Sequence, residues 1–193
     1  MGGLSFPNLS ADPLTGILGF RGGGGESLID ERILAAAAAS IVFTNIPQQY
    51  RELRLKYSLR GDNAGDQALL VQFNLDVAAL YDQEVLTINN ITATAVGAAA
   101  GTSIKAGLIP GTASPANHFE HGEITIPDYQ LKINRKVLFS RSYHENAETA
   151  AGQNHLLDSG LWRTANAPIT TITLLPAAGN FIAASSIQLF GKY

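Results

Sequence analysis

Two runs rich in β-branched and apolar residues dominate the C-terminal part of this chain. The first spans residues 162–175 and the second residues 185–193, and a turn containing Pro, Gly and Asn separates them. Such runs are typical of paired antiparallel strands that close a sandwich. No comparable segment points to an active site, so the expected architecture carries most of the functional inference.

The length and composition predict one globular domain. A chain of 193 residues can bury a substantial core, and its 46% hydrophobic and 15% charged residues argue against disorder. The longest apolar run, residues 33–39, is too short to cross a bilayer. A net charge of -3 gives no general attraction for nucleic acid or an anionic membrane. We therefore expect neither as a partner.

The chain contains no cysteine. This excludes disulfides, thiolate metal sites and a cysteine nucleophile, so stability must come from packing or assembly. The N-terminal residues also lack a positively charged segment followed by an apolar stretch, which predicts synthesis in the cytoplasm.

A strand pattern recurs from residue 40 onward. In residues 50–60, Leu53, Leu55, Tyr57 and Leu59 alternate with polar residues, which predicts a strand with one buried face. Further strands are predicted at residues 68–77, 85–96, 104–109, 118–126, 131–142, 160–165, 169–175 and 185–190. Their number and the short turns between them favour an all-β fold of two packed sheets.

The first 39 residues differ in character from the rest. Residues 1–26 are rich in glycine and carry isolated apolar residues with no sustained period, so they predict an extended N-terminal arm. Ser27 with Asp30 approximates a capping box before an alanine run, which predicts a short helix near Leu28 to Ala35. We therefore divide the chain into an arm, residues 1–39, and a sandwich, residues 40–193.

Four segments of the predicted sandwich resemble, in the same order, the jelly-roll modules of tailed-bacteriophage virion proteins. They are residues 41–55, residues 73–76 with Tyr81, residues 124–129, and residues 162–191. The resemblance covers residues 40–193 and implies a jelly-roll β-sandwich. Modules of this type occur in head decoration (cement) proteins and in tail receptor-binding proteins, usually as homotrimers.

The resemblance, together with the arm, leads us to expect a capsid decoration protein without enzymatic activity. Such a protein is made in the host cytoplasm and binds the outer surface of the major capsid protein in the virion, where it stabilises the shell as a trimer. We expect no cofactor and no small-molecule ligand. The apolar arm residues are the predicted capsid or inter-subunit contacts: Phe6, Leu9, Ile17, Leu18 and Phe20.

The alternative is a receptor-binding or carbohydrate-binding module of the tail. The polar residues 144–159 predict a loop that displays side chains to solvent. The candidate binding residues of that loop are His144, Asn146, Asn154 and His155. Trp162 could stack on a sugar ring, but the alternation around it favours a core position.

Three weaker patterns point to other chemistry. His118, Glu120 and His121 offer metal ligands, but positions three apart on a strand face opposite ways and no third clear ligand lies nearby, so we expect no metal site. The glycines at 22–25 lack a following Lys-Ser/Thr, which favours a linker over a phosphate loop. A hydrolase triad could be drawn from a serine (Ser40, Ser140 or Ser142), His144 and Asp158, but no Gly-x-Ser-x-Gly elbow supports it.

Overall fold

The computed structural model describes residues 25–89, 92–145, 153–164 and 167–193, and every regular element in these ranges is a β-strand. The strands are β1 Glu26–Ile33, β2 Ile41–Phe43, β3 Glu52–Leu59, β4 Gln67–Phe73, β5 Tyr81–Asn89, β6 Thr92–Gly101, β7 Ile104–Ile109, β8 Glu120–Pro127, β9 Lys136–Glu145, β10 Gln153–Trp162, β11 Ile172–Pro176 and β12 Ser186–Lys192. The predicted all-β class is confirmed.

The strands form two antiparallel sheets of unequal size. The larger has the order β1-β12-β3-β8-β9-β10-β5-β6, and the smaller has the order β2-β11-β4-β7. Each strand of the smaller sheet is preceded and followed in sequence by a strand of the larger one. The chain thus crosses repeatedly between the sheets, which pack as a β-sandwich.

The alternating pattern of β3 sets up the two faces of the larger sheet. Leu53, Leu55 and Leu59 are fully buried, whereas Arg54 and Lys56 point to the opposite face. The strand predicted at residues 50–60 is therefore confirmed. Its inward residues form one core cluster with residues of the smaller sheet, among them Val71, Phe73 and Leu174.

Aromatic packing closes one end of this core. Trp162 is 2% exposed, packs edge-to-face on Phe73 with ring centroids 5.8 Å apart, and stacks near Tyr81 at 6.4 Å. The Tyr81 hydroxyl accepts a hydrogen bond from the Phe73 amide (3.0 Å) and lies 3.0 Å from the Asp76 carbonyl. The core position predicted for Trp162 is confirmed.

The helix predicted near Leu28 to Ala35 is wrong, because this segment begins as a strand. β1 pairs antiparallel with β12, with a bulge between Leu28 and Asp30. The alanines that follow hydrogen-bond to the segment before β12: Ala38 exchanges two backbone bonds with Phe181, at 3.0 and 2.9 Å. Backbone pairing with a distant segment has overridden the local helix propensity.

Two other predicted boundaries are also wrong. Residues 85–96, predicted as one strand, belong to two antiparallel strands, β5 and β6. Most of the predicted polar loop at residues 144–159 is strand, because β9 continues to Glu145 and β10 begins at Gln153. From Asn154 to Gly160, even-numbered residues are buried and odd-numbered ones are exposed or half-buried, so the period of two was present under a polar composition.

Residues 1–24 of the predicted arm lie outside the described residues. All five of its predicted contacts, Phe6, Leu9, Ile17, Leu18 and Phe20, fall in residues 1–24. β1 lies in the larger sheet beside β12. The predicted division at residue 40 stays a prediction.

Candidate interaction surface

The described residues of the predicted binding loop belong to two paired strands, β9 and β10. Successive side chains on these strands point to opposite faces of the sheet. His144 and Asn154 are cross-strand partners in β9 and β10. Asn154 is buried, whereas His155, the next residue, is exposed on the opposite face of the sheet. Asn146 lies outside the described residues. Asn154 and His155 therefore do not share one binding surface.

His155 belongs instead to a row on the outer face of the larger sheet, the face turned away from the smaller sheet. Residues directly opposite in antiparallel strands lie on the same face. Tyr143 is opposite both His121 and His155, so these three residues form a line across β8, β9 and β10. Tyr143 and His155 meet edge-to-face with ring centroids 4.9 Å apart. We call this line the aromatic row.

One half of the outer face, over β1, β12, β3 and β8, is charged. Arg54 contacts the carboxylates of Glu26, Glu52 and Glu123, and Lys56 contacts Glu26 at 2.9 Å. The hydrogen bond from Lys56 and the nearby Arg54 charge lower the pKa of Glu26. These partly exposed pairs each contribute little stability. Positive and negative groups lie interleaved here, so this half carries no uniform charge.

The other half, over β9, β10, β5 and β6, exposes several apolar residues beside the charged Arg141 and Glu84. Phe139 is 53% exposed and Leu157 is 49% exposed. The register places Leu157 opposite Leu86, which lies opposite Ala95 of β6. These four residues line a shallow groove of about 610 Å³, with Arg54, Glu123 and Arg141 on its charged side. We call Phe139, Leu157, Leu86 and Ala95 the apolar patch.

The apolar patch runs into β6, the strand at the edge of the larger sheet. Every residue from Thr92 to Ala100 is exposed, so neither face of this strand is covered. Val96 is the cross-strand partner of Val85 and lies on the face of the larger sheet that is turned towards the smaller sheet. It is nevertheless 66% exposed. Within the described residues β6 pairs with β5 alone. No residue of β6 is charged.

The opposite edge of the same sheet has a different character. β1 carries four charged residues, Glu26, Asp30, Glu31 and Arg32, and contains the bulge noted above. Charges and bulges on an edge strand oppose pairing with another chain. Of the two edges, β6 is the one open to a partner strand.

A polar cluster lies between the sheets. The hydroxyls of Tyr57 and Ser140 both donate to the carbonyl of Ala106 in β7, at 3.0 and 2.7 Å. Glu120 is fully buried and Asp158 is 3% exposed. Burial raises the pKa of Asp158 to about 7, with Glu120 adding to the rise and Lys105 opposing it. Burial, and then the Glu120 charge, raise the pKa of Tyr57 well above its ordinary value.

The cluster contains two members of the triad that could be drawn from the sequence. Ser140 and Asp158 face each other across β9 and β10, and both are buried. A nucleophile must reach its substrate, and this pair is closed off from solvent. The cluster is therefore placed to influence stability through the ionisation of Asp158 rather than to bind a substrate from solution.

The segment from His118 to His121 leads into β8, which begins at Glu120. His121 is exposed on the outer face, whereas the carbonyl of His118 accepts a hydrogen bond of 2.8 Å from Arg60. The same guanidinium donates to the carbonyls of Ser114 and Pro115 and so holds the preceding loop. In the part of the chain that the structure describes, no three His, Asp or Glu side chains are grouped so as to hold a metal ion.

Neither the apolar patch nor the exposed edge of β6 was predicted from the sequence. From Val85 to Ile104 the sequence contains no charged residue, and this was the available signal for an unprotected edge. Phe139 alternates with buried Leu138 and Ser140, so the sequence alone did not show which face it occupies.

Comparisons with family models, with curated proteins and with solved structures found no match. The resemblance to phage virion proteins therefore stays a prediction. Among the described residues, no helix is long and apolar enough to cross a membrane.

Proposed function

We propose that this chain is a non-enzymatic structural protein of a bacteriophage virion, which decorates the outer surface of the capsid as a homotrimer and cements the shell. The observation that carries the proposal is the apolar patch together with β6. The four apolar residues of the patch and the uncharged strand β6 lie outside a sandwich whose core is already closed.

The physical reason is the cost of leaving such a surface in water. Scattered exposed apolar residues are normal, but contiguous patches mark sites of association. Leu157 lies directly opposite Leu86, which lies opposite Ala95 of the edge strand, and Phe139 lies diagonal to Leu157 on the next strand. Association between copies, or between this chain and a capsid subunit, removes that surface from water.

The order of strands supports the jelly-roll form of the sandwich. In that architecture the chain crosses repeatedly between two antiparallel sheets. Here β2, β4, β7 and β11 of the smaller sheet are each flanked in sequence by strands of the larger sheet. This is the pattern expected of the virion modules that the sequence resembles.

The N-terminal arm supplies the second contact in the proposal. Its apolar residues insert between capsid subunits, while the sandwich sits on the outer surface. Two tethered contacts bind more strongly than either alone, because the first raises the effective concentration of the second. Neither contact needs a cofactor, a nucleic acid or a membrane.

The proposal is tested by adding the purified full-length chain to heads of the encoding phage that lack it. We expect saturable binding that sediments with the heads and raises their resistance to heat. The Phe139→Glu variant should bind at least tenfold more weakly, whereas Lys132→Gln, an exposed change outside the groove, should bind like the wild type. Failure of the wild-type chain to bind heads would contradict the proposal.

A second function, carbohydrate binding on the phage tail, is favoured by one observation. The aromatic row borders a groove of about 520 Å³ lined also by Lys56, Glu123 and Arg141. An exposed tyrosine beside charged and hydrogen-bonding groups suits a sugar ring. A glycan screen decides this: a selective sugar whose binding is lost in Tyr143→Ala supports the tail function, and no selective sugar excludes it.

A further inference from the structure

The edge of β6 is chemically unusual for a protein that stays alone. An edge strand presents a row of unpaired amide and carbonyl groups, and proteins usually protect it with lysine, proline, bulges or a covering segment. β6 has neither charge nor proline over Thr92–Gly101, and both of its faces are exposed. Its bulge, opposite Tyr81 and Gln83, lies at its C-terminal end.

We propose that β6 of one copy pairs antiparallel with β6 of a second copy, so that two eight-stranded sheets become one continuous sheet across a two-fold axis. The inference goes beyond capsid decoration, since the pairing needs neither the arm nor a capsid. In a trimeric protein it links a subunit of one trimer to a subunit of the next.

The chemistry of the strand selects this partner. A strand that docks on an uncharged edge of Ala, Thr, Val and Gly should itself be uncharged and small, so that no charge is buried unpaired and no bulky side chain blocks the approach. β6 of a second copy has both properties. The other edge of the larger sheet, β1, does not, because its four charged residues and its bulge oppose a regular ladder.

The geometry of β6 fixes the centre of the pairing. The register with β5 is regular from Thr92 to Ala98 and then shifts, and Ala100 has a positive φ of 56°. A regular ladder is therefore limited to residues 92–98, whose midpoint is Ala95. A two-fold axis perpendicular to the sheet keeps each residue on its own face, so Ala95 of one copy meets Ala95 of the other.

Single-cysteine variants test this centre, because the chain has no cysteine of its own. Antiparallel pairing about a two-fold axis brings a residue opposite itself at one position only. Disulfide formation needs Cα atoms within about 7 Å. Among Ala93→Cys, Ala95→Cys and Gly97→Cys, we expect mild oxidation to yield at least fivefold more covalent dimer for Ala95→Cys. Glu31→Cys on β1 is the control and should remain uncrosslinked.

A second experiment removes the pairing by charge. Thr94→Lys with Val96→Lys places like charges at the join, so the mass measured by sedimentation equilibrium should fall to that of the unlinked monomer or trimer. Leu28→Lys with Ile33→Lys adds the same charge to the β1 edge and should leave the mass unchanged. Thermal unfolding of each variant confirms that the sandwich is intact.

The two proposals fail in distinguishable ways. Crosslinking at Ala95 together with loss of mass in the β6 lysine variant, but without binding of the chain to heads, leaves the pairing standing and removes the capsid role. Equal crosslinking at all three positions, or an unchanged mass in the β6 lysine variant, overturns the pairing. The pairing is also overturned if the β6 amides are protected from hydrogen exchange only when the chain is bound to heads and not in the free protein. That result would assign the edge to a capsid subunit.

Discussion

Trp162 donates its indole Nε1–H to the Asp76 carboxylate across 2.8 Å, and this bond joins the end of β10 to the turn after β4. The same carboxylate accepts hydrogen bonds from the Ala78 amide at 2.9 Å and from the Thr164 hydroxyl at 3.2 Å. These bonds lower the pKa of Asp76, that of the Ala78 amide most. One carboxylate thus fixes the turn between β4 and β5, where the chain passes from the smaller sheet to the larger one.

Removing this carboxylate should weaken the fold. Asp76→Ala leaves the buried indole N–H without its acceptor, and we expect a loss of about 2 kcal/mol in the free energy of unfolding. Urea unfolding followed by Trp162 fluorescence measures the loss. Glu84→Ala, an exposed carboxylate on the outer face, is the control and should change the stability by less than about 0.5 kcal/mol. Equal effects of the two substitutions would show that the bond is unimportant.

The pH dependence of stability should report Asp158. Burial raises its pKa from the ordinary 3.8 to about 7 in the folded state, so the folded state holds a proton that the unfolded state releases above pH 4. Asp158 therefore lowers stability progressively from about pH 4 to pH 7, and the penalty stays constant above that range. We expect the stability of Asp158→Asn relative to wild type to increase by roughly 3 kcal/mol between pH 4 and pH 8.

Chemical unfolding of both proteins at several pH values measures this difference. Thr94→Ser, an exposed change that involves no ionisable group, is the control, and its difference from wild type should stay flat across the range. A flat difference for Asp158→Asn as well would mean that the buried carboxyl ionises normally and that the polar cluster is hydrated.

Alanine substitutions at two glycines, Gly160 and Gly65, should distinguish a closely packed position from an open one. A Cβ at Gly160 would lie 2.3 Å from Cγ2 of Ile104, which belongs to the facing sheet, whereas a Cβ at Gly65 meets no atom within 4 Å. Gly160→Ala should destabilise by about 1–3 kcal/mol through overpacking. Gly65→Ala should cost little, and differential scanning calorimetry of the two variants makes the comparison. Equal melting temperatures would contradict the contact between β10 and β7.

The apolar patch should contribute to assembly and not to folding. Phe139 is half exposed, so Phe139→Ser should change the free energy of unfolding by less than about 0.5 kcal/mol while reducing self-association measured by light scattering. Phe73→Ala, in the core, should instead cost about 3–5 kcal/mol. A loss of stability on Phe139→Ser with no change in mass would place Phe139 among the structural residues.

The fold class could be predicted because alternation is local. β3 and β12 show the period of two in their own residues, and both the class and the core position of Trp162 followed from such alternation. The β1 segment was misjudged because its partner, β12, lies more than 150 residues away in the sequence. Propensity favours a helix there, and only the tertiary pairing reverses it.

For a similar reason, most of the candidate surface could not be predicted from the sequence. Phe139 and Leu157 lie on the outer face because of the register among β8, β9 and β10, and a shift of one residue would have buried them. Asn154 and His155 were grouped by polarity, although alternation sends them to opposite faces. The lack of charge in β6 was visible, but its position at the edge was not.

Cryo-electron microscopy of intact particles of the phage that we propose encodes this chain tests the proposed capsid role most directly. The account predicts trimeric density for this sandwich on the outer face of the head, with the apolar patch covered and residues 1–25 reaching neighbouring capsid subunits. Density for the chain at the tail tip, or its absence from the particle, would contradict the account.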